Sequence, residues 1–277
     1  MNGHNFISNN NKKLLKFYRN LLSRFKELEN SLSIVIQGPL NRRSIDTIPY
    51  YLNYGKVIVS CWDTDDLSML DEYKNKIKII VNQYSDILPL AEKTHLQNPI
   101  ILQYYNSYNA IKECDNYFCI KLRSDESYPK LDNLIKKLKE NRDSKDTWHK
   151  IITSNIYFRY DKQKKFHPSD HIVAGCTIRM KSIYERCLLK CRLGNLGKLG
   201  PEELLGVSAI ETFFDKKNKR YDRAIPADSI SLMCKHFDII KISDLPGRTW
   251  TSSYRKYAKL TQEEDWCHHV KDLDRYG

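Results

Sequence analysis

From residue 32 onward the chain repeats one arrangement: a short apolar, β-rich run, then a longer stretch able to form a helix. The runs cover 32–37, 56–61, 77–82 and 117–122, and the stretches between them cover 42–54, 65–73 and 99–113. Strands separated by helix-capable segments predict a parallel sheet with helices on its faces. A helix over 131–140 comes next, followed by a strand-like run over 150–158, a strand over 172–179 and helices over 182–190 and 201–214. Gly194, Gly197 and Gly200 lie at steps of three between the last two helices. They do not follow a strand, so they read as a flexible turn and not as a dinucleotide fingerprint. With no internal repeat and no linker rich in Pro, Gly or Ser, the pattern predicts one continuous α/β domain over 31–277, its sheet mostly parallel and flanked by helices.

Ahead of it, residues 12–28 place Leu14, Tyr18, Leu21, Leu22, Phe25 and Leu28 at steps of three and four, with six Lys and Arg between them. This spacing predicts a basic amphipathic helix over the N-terminal region, 1–30. Two uses stay open for it: packing on the main domain, or peripheral contact with a membrane surface or a partner.

Composition narrows the class. The chain has 277 residues, 41% of them hydrophobic, with 18 Tyr, which excludes an intrinsically disordered protein. The longest run lacking Asp, Glu, Lys and Arg, 94–111, is interrupted by Gln, Asn and Pro and cannot span a bilayer as a helix. Residues 1–11 lack the basic end and continuous apolar stretch of a secretory signal, so a cytoplasmic location is expected. The eight cysteines contain no C-x-x-C pair and fit a reduced, mostly buried set. Richness in Lys, Asn, Ile and Tyr points to an AT-rich genome, bacterial or viral.

The net charge of +12 suits nucleic acid, an anionic membrane or phosphorylated substrates. Against a nucleic-acid-binding protein, the basic residues form no block, and no reading helix, zinc module or ribonucleoprotein motif is present, so no specific nucleic acid is expected. Against a nucleotidyltransferase, no Gly-rich loop bearing Lys or Arg follows the first strand.

Ligands of parallel sheets bind outside the carboxyl ends of the strands, so those ends carry the chemical information. The first strand ends in Gln37-Gly38-Pro39, where Gly permits close backbone approach and Pro stiffens the exit. Asp63, after the second strand, could accept hydrogen bonds from a base or ribose, or simply cap a surface turn. The fourth ends Lys121-Leu122-Arg123-Ser124-Asp125-Glu126, two carboxylates and two cations on one strand and its turn. Carboxylates on a short turn suit a divalent cation, Mg²⁺ or Mn²⁺, bridging a diphosphate, with Lys121 and Arg123 as compensating charge. An acidic N-cap for the helix over 131–140 is the equal alternative. His167-Pro168-Ser169-Asp170-His171 can supply a general base near neutral pH or bind metal, or form an ordinary turn. His268, beside Cys267 and His269, is a further candidate metal ligand.

Taken together and in order, 33–39, 57–62, 120–125 and 167–171 resemble the WavE-like lipopolysaccharide biosynthesis family, a group similar to GT-A glycosyltransferases. The resemblance spans about 32–210. It implies a GT-A-like fold whose donor half, about 31–130, binds a nucleotide sugar such as a UDP- or GDP-sugar, and whose acceptor half, about 131–277, binds a glycan or lipid-linked acceptor. On this reading Gln37, Gly38, Pro39, Asp63, Gln103, Lys121 and Arg123 face the donor. Asp125 lies in the metal-binding acidic motif, with Glu126 and His268 as further ligands. His167, Ser169 and His171 lie on the acceptor side. Asp170 is the first choice for the catalytic base and Glu202 and Glu203 are the reserves. The chain departs from the family in carrying Leu102 where an Arg is usual and in lacking an Asp-x-Asp.

Overall fold

The computed structural model describes residues 31–87, 99–144, 150–156, 158, 166–194, 199–212 and 232–250. The N-terminal helix expected over 12–28 and the His268 region lie outside them. Strands β1 (Leu32–Gln37), β2 (Lys56–Trp62), β3 (Lys78–Asn82) and β4 (Phe118–Arg123) alternate with helices α1 (Arg42–Leu52) and α2 (Pro99–Ile111). A two-residue strand β5 (Glu126–Ser127), helix α3 (Asp132–Asp143), and strands β6 (Ile151–Ser154) and β7 (Ile172–Cys176) follow. Helices α4 (Thr177–Arg192) and α5 (Pro201–Glu211) and strands β8 (Phe237–Ile240) and β9 (Thr249–Trp250) complete the described order.

Seven strands form one sheet in the order β3-β2-β1-β4-β7-β6-β8, and β7 alone runs against its neighbours β4 and β6. This is the mostly parallel, helix-flanked α/β sheet expected from the sequence. Alternate residues of each strand feed two cores. Val35, Ile58, Cys119 and Val173 pack under α2, α4 and α5 on one face. Ile34, Val57, Ile120 and Leu122 pack under α1 and α3 on the other. The chain runs outward from β1 to β2 and β3, then returns to lay β4 on β1's other side. This reversal opens a crevice at the carboxyl ends of β1 and β4, where Gln37 is the register partner of Arg123.

Local chemistry sets the boundaries. Asn41 caps α1 in a reciprocal box with Ser44, and Pro201 opens α5 behind Gly200, whose N–H donates to Glu203 Oε2 at 3.0 Å. Three expectations are corrected. The stretch 65–73 makes only a short 3-10 turn at Leu67–Leu70. The strand expected over 172–179 stops at Cys176, because the buried Met180, Ile183, Tyr184, Cys187 and Leu188 already follow helical spacing. Ser124, Asp125 and Glu126 do not cap α3: Leu131 occupies that position without a side-chain cap bond, while Glu126 and Ser127 pair with Trp250 and Thr249. The described cysteines are free thiols, most of them buried. Among the described residues no helix is long and apolar enough to cross a membrane.

Candidate functional site

The crevice holds a cleft of about 370 Å³. Gln37, Gly38 and Pro39 form one wall, Gln103 and Asn106 of α2 another, and Arg123 and Asp125 a third, with Trp62 at the end of β2. Gly38 takes φ +126°, and a Cβ there would come within 2.5 Å of Ser124 Oγ, so this turn needs glycine to let β1 and β4 exit side by side. The exits are tied together: Ser124 N–H donates to Gln37 O at 2.9 Å, and Asn41 Nδ2 donates to Ser124 O at 2.8 Å. Gln37 is held from below by Ser107 Oγ, which donates to its Oε1 at 3.1 Å.

Behind the cleft lies a buried cluster of charges. Arg123 donates through two nitrogens to the two oxygens of Asp125, both at 3.0 Å, and its third nitrogen stands 3.7 Å from Asp170 Oδ2. Gln103 Nε2 donates to that same oxygen at 2.5 Å, and Lys121 Nζ donates to the Asp170 carbonyl at 2.6 Å. One Glu126 oxygen pairs with His171 Nδ1 and the other accepts from the Tyr128 hydroxyl. Burial favours the neutral form of Asp170, but Arg123, Lys121 and His171 outweigh it and hold the carboxyl well below the usual range. Burial likewise opposes ionisation of Asp125, and the Arg123 fork overcomes it. Burial pushes Lys121 down to about 8 against the pull of Asp170. Burial would lower His171, but Glu126, and after it Asp170, raise it above its ordinary value.

On the far side of Asp170 the segment 166–171 meets α5. Gly206 lets the helix press against this segment, since a Cβ there would lie 1.9 Å from Phe166 O. His167 Nε2 thereby stands 3.7 Å from Glu202 Oε2. Burial, and after it the charge of Asp170, raise Glu202 to about 7, while its side chain keeps 20% exposure. Glu203 instead accepts from Gly200 N–H at 3.0 Å and serves as a helix cap. Ser169 Oγ is buried against Ser154 Oγ at 3.0 Å.

The expected site residues therefore separate. Gln37, Gly38, Pro39, Gln103, Arg123 and Asp125 share the cleft, whereas Lys121 is buried behind it. Asp63 is not on the cleft wall; its Oδ1 accepts the Tyr84 N–H at 3.1 Å. Strand alternation puts Trp62 there in its place, with its ring stacked 6.3 Å from that of Tyr105. Trp62 and Asn106 were missed because an apolar strand residue and a mid-helix Asn give no signal without the topology.

Of the expected metal ligands, the two among the described residues, Asp125 and Glu126, do not fit a shared divalent cation. Asp125 faces the cleft with both oxygens occupied by Arg123, and Glu126 is turned inward with both occupied by His171 and Tyr128. Two adjacent carboxylates so turned do not converge on one ion. Among the described residues no group of three or more His, Cys, Asp and Glu is placed to hold one.

No family model matches this chain, and no curated protein matches it. Among solved structures, the crystal structure of HddC from Yersinia pseudotuberculosis aligns over 55% of this chain and 79% of its own, at 13% identity and a TM-score of 0.35. That degree of likeness says nothing about chemistry.

Proposed function

We propose that this protein is a glycosyltransferase that moves a sugar from a UDP- or GDP-sugar to a hydroxyl of a glycan or lipid-linked polysaccharide acceptor. The observation that carries this reading is the convergence of Gln37, Gly38, Pro39, Gln103, Arg123 and Asp125, from three separate parts of the chain, on one cleft at the sheet's switch point. Its volume lies within the range of small-ligand sites. Asp170 is a poor choice for the base, because a buried carboxyl held far below the usual range has little tendency to take a proton. Its role is to anchor Gln103, Arg123 and, through its carbonyl, Lys121. Glu202 suits the task better: it is partly exposed, and its affinity for protons is matched to neutral pH. Glu202 takes the acceptor hydroxyl's proton as that oxygen bonds to the anomeric carbon and the nucleoside diphosphate leaves. The basic amphipathic pattern of residues 12–28 would keep the enzyme near a lipid-linked acceptor.

The reading is tested by the shift in melting temperature with UDP and GDP and by sugar transfer across pH. A stabilising nucleotide is expected, with turnover rising through about pH 7 as Glu202 loses its proton. Glu202→Gln should keep nucleotide binding and lose about 10²–10⁴-fold in turnover. Failure of both nucleotides to bind would overturn it.

A further inference from the structure

We propose that arginines take the place of a divalent cation here: Arg43 and Arg42, at the start of α1, hold the donor's diphosphate together with Arg123. This rests on the reading of the cleft as a nucleotide-sugar site. The first turn of α1 carries these two arginines and no acidic residue. A helix N-terminus already bears partial positive charge, so cations there are unfavourable unless an anion sits beside them. Pro39, Leu40 and Asn41, which lead into that turn, line the cleft. Arg43 stands behind that lining and donates to the Asp125 carbonyl at 3.3 Å, which sets a second guanidinium beside the Arg123–Asp125 pair at the cleft's edge. Arg42 is exposed at the same turn. Guanidinium forks match phosphate oxygens in geometry as well as charge.

An independent observation points to a polar ligand in the same cleft. Asn106, fully buried on the α2 side, has no hydrogen-bond partner for either its Oδ1 or its Nδ2. A buried amide left unpaired is costly, and Asn106 is among the residues that line the cleft. A nucleoside diphosphate has groups for both ends: phosphates for the arginines of the α1 side and a polar base edge for the amide of the α2 side. The carboxylates that would hold a metal ion are meanwhile committed to Arg123, His171 and Tyr128.

The test is calorimetric titration of the full chain with UDP, GDP, ADP, CDP, dTDP and inorganic pyrophosphate, in EDTA and then in Mn²⁺. At least one nucleotide should bind with affinity changing less than about threefold between the two conditions. The double substitution Arg42→Gln/Arg43→Gln should weaken it about tenfold or more, as loss of charge-assisted hydrogen bonds implies. Circular dichroism of the variant confirms that it is folded, and Arg43→Lys should restore only part of the affinity. Binding seen only with Mn²⁺ would overturn the proposal while leaving the nucleotide-sugar reading intact. Metal-free binding unaffected by the double substitution would overturn the role of the arginines. Pyrophosphate binding as tightly as every nucleotide would show an anion site without a nucleoside site, and no binding of any nucleotide in either condition would overturn the nucleotide-sugar reading together with the proposal.

Discussion

The cleft wall and the buried cluster behind it are built from the same strand end, yet they treat charge in opposite ways. At the wall, Asp125 keeps 27% side-chain exposure and Arg123 22%. In the cluster, Glu126, one residue further on, keeps 1% and His171 2%. Exposed charges can exchange partners with a ligand at little cost, because water and the ligand compete on similar terms. Buried charges cannot, because removing one partner strands the other in a medium that does not solvate it. Wall and interior balance together: Lys121, Arg123 and His171 are set among Asp125, Glu126 and Asp170, and the two arginines of α1 add positive charge beside the cleft.

The sharpest way to break this comparison is to remove the buried acid. Glu126→Ala would leave His171 and the Tyr128 hydroxyl without their acceptor, and should cost about 3–5 kcal/mol in urea unfolding. A loss below about 1 kcal/mol would mean that water replaces the carboxylate and that the cluster is not sealed.

Next in size is the packing that brings α5 to the cluster. Gly206→Ala puts a methyl into the Phe166 carbonyl, a backbone atom that cannot swing away as a flexible side chain would. A cost of about 1–3 kcal/mol is expected, as for other overpacked sites. The retreat of α5 should also hydrate Glu202 and move the pH dependence of turnover downward, toward ordinary carboxylate values. An unchanged pH profile would separate Glu202 from this contact.

The two regions also predict a pH window. Asp125 and Asp170, lowered from about 3.8, add stability that is present above that value and lost as pH falls through their folded values. His171, raised above 6.5, adds stability that is present below 6.5 and lost as pH rises through its folded value. Glu202, raised from 4.5 to about 7, acts in the same sense, its contribution complete below 4.5 and gone above about 7. Urea midpoints should therefore peak on the acid side of neutrality, between about pH 4 and 6.5, and decline toward pH 8. Glu202→Gln should flatten part of that decline, and a midpoint still rising from pH 6 to 8 would reverse the assigned charge states.

The sequence made the parallel half of the sheet readable. The first four strands were expected within one residue of their observed ends, because β1, β2 and β4, buried on both faces, carry apolar runs with little else to confuse them, and the edge strand β3 keeps such a run although it is partly exposed. The other half was harder for physical reasons. The pattern at 172–180 satisfies a strand and a helix at once, and β5 and β9 are two-residue pairings that leave no periodicity. Within the site, residue types at strand ends were legible and their partners were not. Nothing in Arg-Ser-Asp-Glu says that one acid turns outward and the next inward; that depends on His171 and Tyr128 arriving from elsewhere in the fold.

The smallest effect is expected at the residue most suspected of binding metal. Asp125→Ala removes both of the close Arg123 contacts, but Arg123 keeps Asp170 at 3.7 Å and Glu126 at 3.9 Å, and water reaches the vacated position. The cost in urea unfolding should be about 1 kcal/mol or less, as for other partly exposed ion pairs, and smaller at high salt. A cost near that of Glu126→Ala would place Asp125 inside the sealed cluster and erase the distinction drawn between wall and interior. Mn²⁺ supplies the complementary check. If Mn²⁺ raises the melting temperature of the parent protein and not of Asp125→Ala, the carboxylate prefers the ion to Arg123. If neither protein responds, the fork to Arg123 is the whole of its role, and the variant's effect on nucleotide affinity then reports how far Asp125 orients that guanidinium in the cleft.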